Sequence, residues 1–183
     1  MNRQKLEVSL KAKNGIDFIL AASIIWIILS FVWLLENSNY DKSIITLIMA
    51  GLLLPLAFIF SKILKTAWKI KHNTLQPLGL RLNLAQLFYF PFLFFFLFRD
   101  PEHFIMAYAV ITGAHLFPYA WFYNENLYGF AAGIISLGAL LLTFFNVDSY
   151  LIPVLTASIL MCLFVGLFFS FFKKYTTKIQ AHL

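Results

Sequence analysis

The sequence predicts an all-α membrane protein: a bundle of six transmembrane helices forming one domain over residues 1–183, with both termini in the cytoplasm. The first observation is composition, because the chain is 61% hydrophobic and 12% charged. Ordinary globular domains are about 45–50% apolar and about 25% charged. The second is a series of apolar runs long enough to cross a bilayer. The third is where lysine and arginine fall between those runs.

Six spans follow one another along the chain, each ending in polar or charged residues. The predicted spans cover approximately residues 16–35, 43–64, 78–98, 102–123, 127–145 and 150–172. The first apolar run is longer than the roughly 7–15 residues of a signal peptide's apolar region. We therefore expect it to be a retained span. The basic segment before it, residues 2–14, is compatible with a helix on the membrane surface or with a flexible tail.

Proline and glycine predict irregularities inside the spans. Pro55 predicts a kink near Gly51 in span two, and Pro91 predicts an interruption of span three, because proline cannot donate the usual helix hydrogen bond. In span five, Gly129 and Gly133 form a GxxxG motif, which favours close packing against another helix. The motif also allows a homodimer, although it is common in apolar helices.

The basic residues predict the orientation of the chain. If the N-terminus is cytoplasmic, 12 of the 14 lysines and arginines lie on the cytoplasmic side. The outer loops then hold only Lys42 and Arg99. This is the bias that the positive-inside rule describes for a cell-membrane protein. Because span ends account for the basic residues, we expect membrane lipids around the protein and no nucleic-acid partner.

The candidate functional site lies in span four, where His115 is the only histidine that the predicted spans place at membrane depth. Tyr108, Thr112, His115 and Tyr119 are spaced by four, three and four residues, which places them on one helix face. Lipid does not favour a polar stripe. We therefore expect this face to point into the bundle or into a water-filled cavity.

Pro118 lies three residues after His115. We expect it to break the helix and to leave the carbonyl of Ala114 without its usual amide donor. Such a carbonyl at membrane depth is available to a ligand.

Polar residues of other spans are expected at a similar depth. Asn83 and Gln86 in span three and Asp17 in span one lie on the same side of the membrane as His115, with Glu125 near that surface. Together they would line one cavity in the cytoplasmic half. Two structural alternatives are open: Asn83 and Gln86 joining helices through hydrogen bonds, and Asp17 stabilising a helix N-terminus at the interface.

The chemistry of these residues narrows the function classes. Cys162 is the only cysteine, so the sequence offers no disulfide and no cysteine-rich metal site. One membrane histidine does not supply the three or four ligands of a zinc site, and no nucleophile motif is present. We expect no metal and no cofactor.

The leading hypothesis is that the protein binds or transports a small molecule or lipid, with His115 as the polar anchor. One alternative is an intramembrane enzyme acting on a lipid or isoprenoid, with His115 as acid and base. Another is a structural subunit of a membrane complex, in which the polar stripe joins helices. The sequence favours a role other than catalysis, because only one group suited to acid–base chemistry is placed at depth.

The sequence resembles a family of small bacterial membrane proteins known only as a domain of unknown function. The most specific match is the run Thr-Gly-Ala-His-Leu-Phe-Pro-Tyr-Ala-Trp-Phe-Tyr at residues 112–123. The segments at residues 13–20 and 54–56 also resemble sequences of this family, so the resemblance covers nearly the whole chain. It implies a bacterial inner-membrane protein of about this size and implies no activity.

The predicted orientation can be tested with introduced cysteines. Cysteines at Ser38 and Ser149 should react with a membrane-impermeant maleimide in intact cells, because both positions lie in outer loops. A cysteine at Asn73 should react only after the cells are opened. Labelling of position 73 in intact cells would show that the orientation is reversed.

Overall fold

The computed structural model describes the backbone of residues 3–180 and the side chains of residues 3–176. The described chain is all-α, 83% helical, and contains no strand. Six of its helices are long and apolar enough to cross a membrane. These spans are Lys13–Val32, Asn39–Ile63, Gln76–Arg99, Pro101–Tyr123, Asn126–Phe144 and Leu151–Thr176. The six-span helical architecture predicted from the sequence is therefore confirmed.

Nine α-helices build this architecture over residues 3–180. They are α1 (Arg3–Lys11), α2 (Ile16–Val32), α3 (Asn39–Gly51), α4 (Leu53–Ile63), α5 (Gln76–Ala85), α6 (Phe90–Arg99), α7 (Phe104–Tyr123), α8 (Asn126–Phe144) and α9 (Leu151–Gln180). Short 3₁₀ turns at Lys13–Gly15, Gln86–Tyr89 and Pro101–His103 join or extend them. Helices α3 and α4 make span two, and α5 and α6 make span three.

The two predicted irregularities in spans two and three are confirmed. Span two breaks at Leu52, between α3 and α4, three residues before Pro55. Pro55 has no amide hydrogen for the carbonyl of Gly51, which removes one bond at that point. In span three, the 3₁₀ turn precedes α6, and Pro91 sits in the first turn of α6, where its missing donor costs least.

The expectation that Pro118 breaks span four is wrong. Helix α7 runs without interruption from Phe104 to Tyr123 and includes Pro118. Two turns before the proline, α7 is bonded to α8, where the Ser136 hydroxyl donates to the carbonyl of Val110 at 3.3 Å. In a membrane, neighbouring helices commonly compensate for the single hydrogen bond that a proline removes.

The best-packed part of the bundle consists of spans one, four, five and six. Helix α7 packs along α8, α8 along α9, α9 along α2, and α2 along α4. In the apolar stretches of spans one and four, 56% of the residues are buried, against 17% in span two and 11% in span three. Inside the core, Trp26 of α2 stacks on Tyr108 of α7, with ring centroids 5.0 Å apart. Spans two and three therefore lie at the periphery.

Helix α1 docks on the end of the bundle that carries both termini, which we call the terminal end. Val8 and Ser9 are completely or almost completely buried there. A left-handed turn at Asn14 and Gly15 then directs the chain into α2. Residues 3–11 thus form a helix packed on the bundle, as the helix alternative predicted, and not a flexible tail.

The prediction from the GxxxG motif is wrong for Gly133. A Cβ atom added at Gly133 would meet nothing within 4 Å, and one at Gly129 would meet only the Ala120 Cβ at 3.7 Å. The close helix approach lies at Gly113 of α7 instead. A Cβ there would overlap the Ser136 hydroxyl and lie 3.0 Å from the carbonyl oxygen of Ala132. Glycine spacing shows where close approach is sterically allowed, and the partner helix decides where it occurs.

The structure also changes the choice of labelling position at the terminal end. Asn73 is only 6% exposed, and its side-chain amide donates to Glu7 at 2.9 Å. Lys71 is exposed and is therefore the better cysteine position in the labelling experiment.

Helix packing at Gly113 gives a stability prediction. Gly113→Ala should lower the free energy of unfolding in mixed detergent micelles by about 1–3 kcal/mol, because the new methyl group overpacks the α7–α8 contact. Gly133→Ala is the matched control and should not lower the free energy of unfolding, because its methyl group enters open space. Equal losses in both variants would contradict the assignment of the α7–α8 interface.

Candidate functional site

The polar stripe of span four faces largely into the protein. Tyr108, Thr112 and Tyr119 are buried, and His115 is half-buried. The exposed face of this part of α7 carries Phe117 and Trp121 instead. The periodicity of the polar residues therefore places them toward the bundle, as the sequence predicted.

Thr112 is the unusual member of this stripe. Its hydroxyl oxygen is buried and has no hydrogen-bond partner within the described part of the chain. By contrast, the buried Ser23, Thr46 and Thr156 each donate to the carbonyl four residues earlier, at 2.7, 2.8 and 2.9 Å. A buried polar group without a partner costs about 1–3 kcal/mol. The side chain of Thr112 is thus held in a position that leaves its hydroxyl unused.

His115 lies one helical turn from Thr112 on the same face. Its ring packs edge-on against Tyr119, with centroids 5.4 Å apart and planes at 73°. No hydrogen bond or ion pair joins His115 to any other residue that the structure describes. Thr112 and His115, one turn apart on α7, therefore both lack a hydrogen-bond partner in the described part of the chain.

Asn83 of span three reaches the stripe. The Tyr119 hydroxyl donates to its side-chain oxygen at 2.8 Å, and Gly79, one turn earlier on α5, approaches the ring of Phe122. Spans three and four are therefore neighbours at this level. The hydrogen bond also supplies the partner that a buried tyrosine hydroxyl needs.

The remaining predicted site residues are Tyr108, Gln86 and Asp17. Tyr108 is two turns away and covers Trp26 of span one. Gln86 is half-buried in the 3₁₀ turn of span three. Asp17 is only 2% exposed, and its Oδ2 accepts hydrogen bonds from the Thr66 hydroxyl and the Trp68 indole at 2.7 and 2.6 Å. The structure thus groups Asn83, Thr112, His115 and Tyr119, and places Asp17 in a second cluster.

A column of tyrosine rings connects the two regions. Tyr119 stacks on Tyr123 with centroids 5.9 Å apart, and Tyr128 packs against both at 5.8 Å. The Tyr128 hydroxyl donates to the carbonyl of Asn14 at 2.6 Å. Gly15, with φ +75°, lets the chain pass this column closely, since an added Cβ would lie 3.0 Å from the Tyr123 hydroxyl. The column fixes α7 and α8 against the start of span one.

At the terminal end, a buried ammonium group gathers three parts of the chain. Lys174 Nζ lies 2.5 Å from Glu125 Oε1, and donates to the Ser9 hydroxyl at 2.9 Å and the Tyr123 carbonyl at 3.0 Å. Longer contacts reach the Asn124 carbonyl at 3.3 Å and the Asn14 side chain at 3.4 Å. The Ser170 hydroxyl donates to the same carboxylate oxygen of Glu125.

This Lys174 cluster was missed by the sequence interpretation, which treated Lys174 as a topology signal. One signal was present in the sequence. Only Asn124, Glu125 and Asn126 separate spans four and five, so the carboxylate of Glu125 must remain close to the bundle and requires a cation. Which of the basic residues supplies that cation depends on tertiary contacts.

The two regions differ in what they can do chemically. The Lys174 cluster is internally satisfied and fastens α1, the turn between spans four and five, and α9. The Thr112–His115 pair presents unused hydrogen-bonding groups. Within residues 3–180, no three histidine, cysteine, aspartate or glutamate side chains are grouped so as to hold a metal ion. The pair therefore differs from the Lys174 cluster in holding hydrogen-bonding capacity that no described residue uses.

Comparison with known proteins identifies the family of the chain. A family model described as a family of unknown function, DUF7010, matches residues 1–170. The chain belongs to the DUF7010 family. In this DUF7010 protein, the matched region contains both Thr112 and His115, and Lys174 lies beyond it. No curated protein and no solved structure matches the chain.

The Lys174 cluster gives a second stability prediction. Lys174→Met should lower the free energy of unfolding by about 3–5 kcal/mol, because the variant leaves the buried Glu125 carboxylate without its cation. Adding Glu125→Gln should recover part of this loss. Lys71 is exposed and forms no ion pair in the described chain. Lys71→Met should therefore change the free energy of unfolding by less than about 0.5 kcal/mol. Unfolding in mixed micelles measures all three, and an unaffected Lys174→Met would contradict the cluster.

Proposed function

We propose that this membrane protein binds or transports a small molecule or lipid, entering from the cytoplasmic half, whose polar group reaches Thr112 and His115. The observation that carries the proposal is the buried Thr112 hydroxyl without a partner. Folded proteins leave few buried polar atoms unpaired. A ligand that pairs with this hydroxyl would remove its cost.

The chemistry of the pair indicates the kind of group that it would accept. A threonine hydroxyl both donates and accepts hydrogen bonds, and a neutral histidine donates with one ring nitrogen and accepts with the other. No carboxylate or ammonium group contacts this pair in the described part of the chain. A polar but uncharged group, such as a hydroxyl or an amide, therefore suits the site better than an ion, since a buried charge needs a counter-charge.

The alternatives receive less support. An acid–base enzyme would need a second group beside His115 for the opposite proton-transfer role. The titratable ring there is Tyr119, whose hydroxyl proton is already donated to Asn83, and no second histidine and no carboxylate bonds to His115 within the described residues. A purely structural stripe accounts for the bond between Tyr119 and Asn83, but it leaves Thr112 and His115 unused.

We further propose that the protein lies in the cell membrane with both termini on the cytoplasmic side. The distribution of lysine and arginine along the sequence supports this orientation.

The isosteric variant Thr112→Val tests the proposal directly. Valine keeps the shape of threonine and removes only the hydroxyl. Because that hydroxyl makes no bond within the described protein, the free energy of unfolding should stay the same or rise by about 1 kcal/mol. Ligand retention should fall, as measured by native mass spectrometry of the purified protein for a co-purifying species. His115→Ala should show the same combination of intact stability and an empty site.

The matched control is Thr156→Val, which removes an equally buried hydroxyl that is bonded to the Ile152 carbonyl. It should leave ligand retention unchanged. Retention of the same species by Thr112→Val and His115→Ala would reject the proposed site. A loss of about 1–3 kcal/mol of stability in His115→Ala would assign that residue a structural role instead.

A further inference from the structure

We propose that the connection between spans two and three binds the phosphate-bearing headgroup of an anionic membrane lipid through Lys65, Lys69 and Lys71. These three residues, which we call the lysine platform, are all exposed. None of them forms an ion pair within the described chain. The inference concerns the terminal end of the bundle and is independent of the site at His115.

The backbone that carries the lysine platform is held in place by the rest of the protein. The amide of Ala67 donates to the carbonyl of Lys11 at 2.9 Å. The Trp68 indole donates to Asp17 at 2.6 Å. At the far end of the connection, the Asn73 side chain donates to the carbonyl of Gln4 at 3.1 Å. A preformed frame loses less conformational freedom on binding than a flexible loop does.

The positive charge of the platform is not neutralised by the acidic residues nearby. Glu7 pairs with Lys11 at 2.7 Å. Hydrogen bonds from Lys11 and Asn73 hold the pKa of the Glu7 carboxyl below its usual range. Asp17 is buried and accepts hydrogen bonds from Thr66 and Trp68. No lysine of the platform forms an ion pair with either carboxylate in the described chain, and all three ammonium groups are therefore open to an anion from outside.

The platform also lies at the depth of lipid headgroups. It follows directly on α4, which ends at Ile63. Trp68 is held at this level between the rings of Phe18 and Phe58, at 4.9 and 5.6 Å. Lys62 lies 4.8 Å from the centre of the Phe58 ring. Tryptophan and lysine together are typical of the membrane–water interface. This position favours lipid phosphate over phosphate dissolved in water.

The test compares lipid binding by the full chain and by charge variants in neutral detergent. Native mass spectrometry would follow titration with phosphatidylglycerol or phosphatidylcholine. The parent should bind phosphatidylglycerol more tightly. K69Q/K71Q should lose roughly fivefold in phosphatidylglycerol affinity for each lysine, as expected for single charges at a membrane surface. K69R/K71R keeps both charges and should retain phosphatidylglycerol binding, which would show that the two positions tolerate substitution.

The matched control K42Q/R99Q also removes two positive charges. Lys42 and Arg99 both lie at the opposite end of the bundle, so lipid preference should not change. Equal binding of both lipids by the parent, or equal losses in K42Q/R99Q and K69Q/K71Q, would overturn the proposal. So would displacement of the bound lipid by equimolar glycerol 3-phosphate, which would indicate a site for soluble phosphate.

Discussion

The buried ion pair between Lys174 and Glu125 is the interaction on which the terminal end of this protein depends. Its ammonium group reaches the last span, the turn between spans four and five, and the N-terminal helix through Ser9. Charge burial is favourable only when the surrounding hydrogen bonds are complete. Here backbone carbonyls and the Ser170 hydroxyl complete them. The arrangement therefore fixes the ends of several spans relative to one another.

This saturated cluster makes the unsatisfied hydroxyl of Thr112 more informative. Among residues 3–176, the other buried side-chain polar atoms have partners, including the tyrosine hydroxyls that bond to Asn83 and to the carbonyl of Asn14. The same chain thus completes its polar contacts at the terminal end and leaves one open beside His115. A bundle that needed the stripe only for helix packing would gain stability from an apolar residue at position 112.

Much of the fold was predictable, because span length, proline kinks and apolar runs are local properties of the sequence. The site was predictable in part: helical periodicity places Thr112, His115 and Tyr119 on one face, and depth brings Asn83 near them. What failed depends on neighbours. Helix α7 continues through Pro118, Gly133 meets open space, and the partner of Glu125 is determined by the tertiary fold. Only the three-dimensional contacts show that Thr112 does not donate the hydrogen bond that Ser23, Thr46 and Thr156 donate to the carbonyl four residues earlier.

The thin packing of span three has a consequence for handling the protein. With 11% of its apolar stretch buried, this span has few contacts with the rest of the polypeptide, which leaves most of its surface to the surrounding medium. Extraction into detergent replaces that surrounding medium, while the core of spans one, four, five and six carries its own contacts. Asn83 contacts Tyr119 from this weakly packed span. We therefore expect the Tyr119–Asn83 hydrogen bond beside His115 to depend on the detergent used for purification.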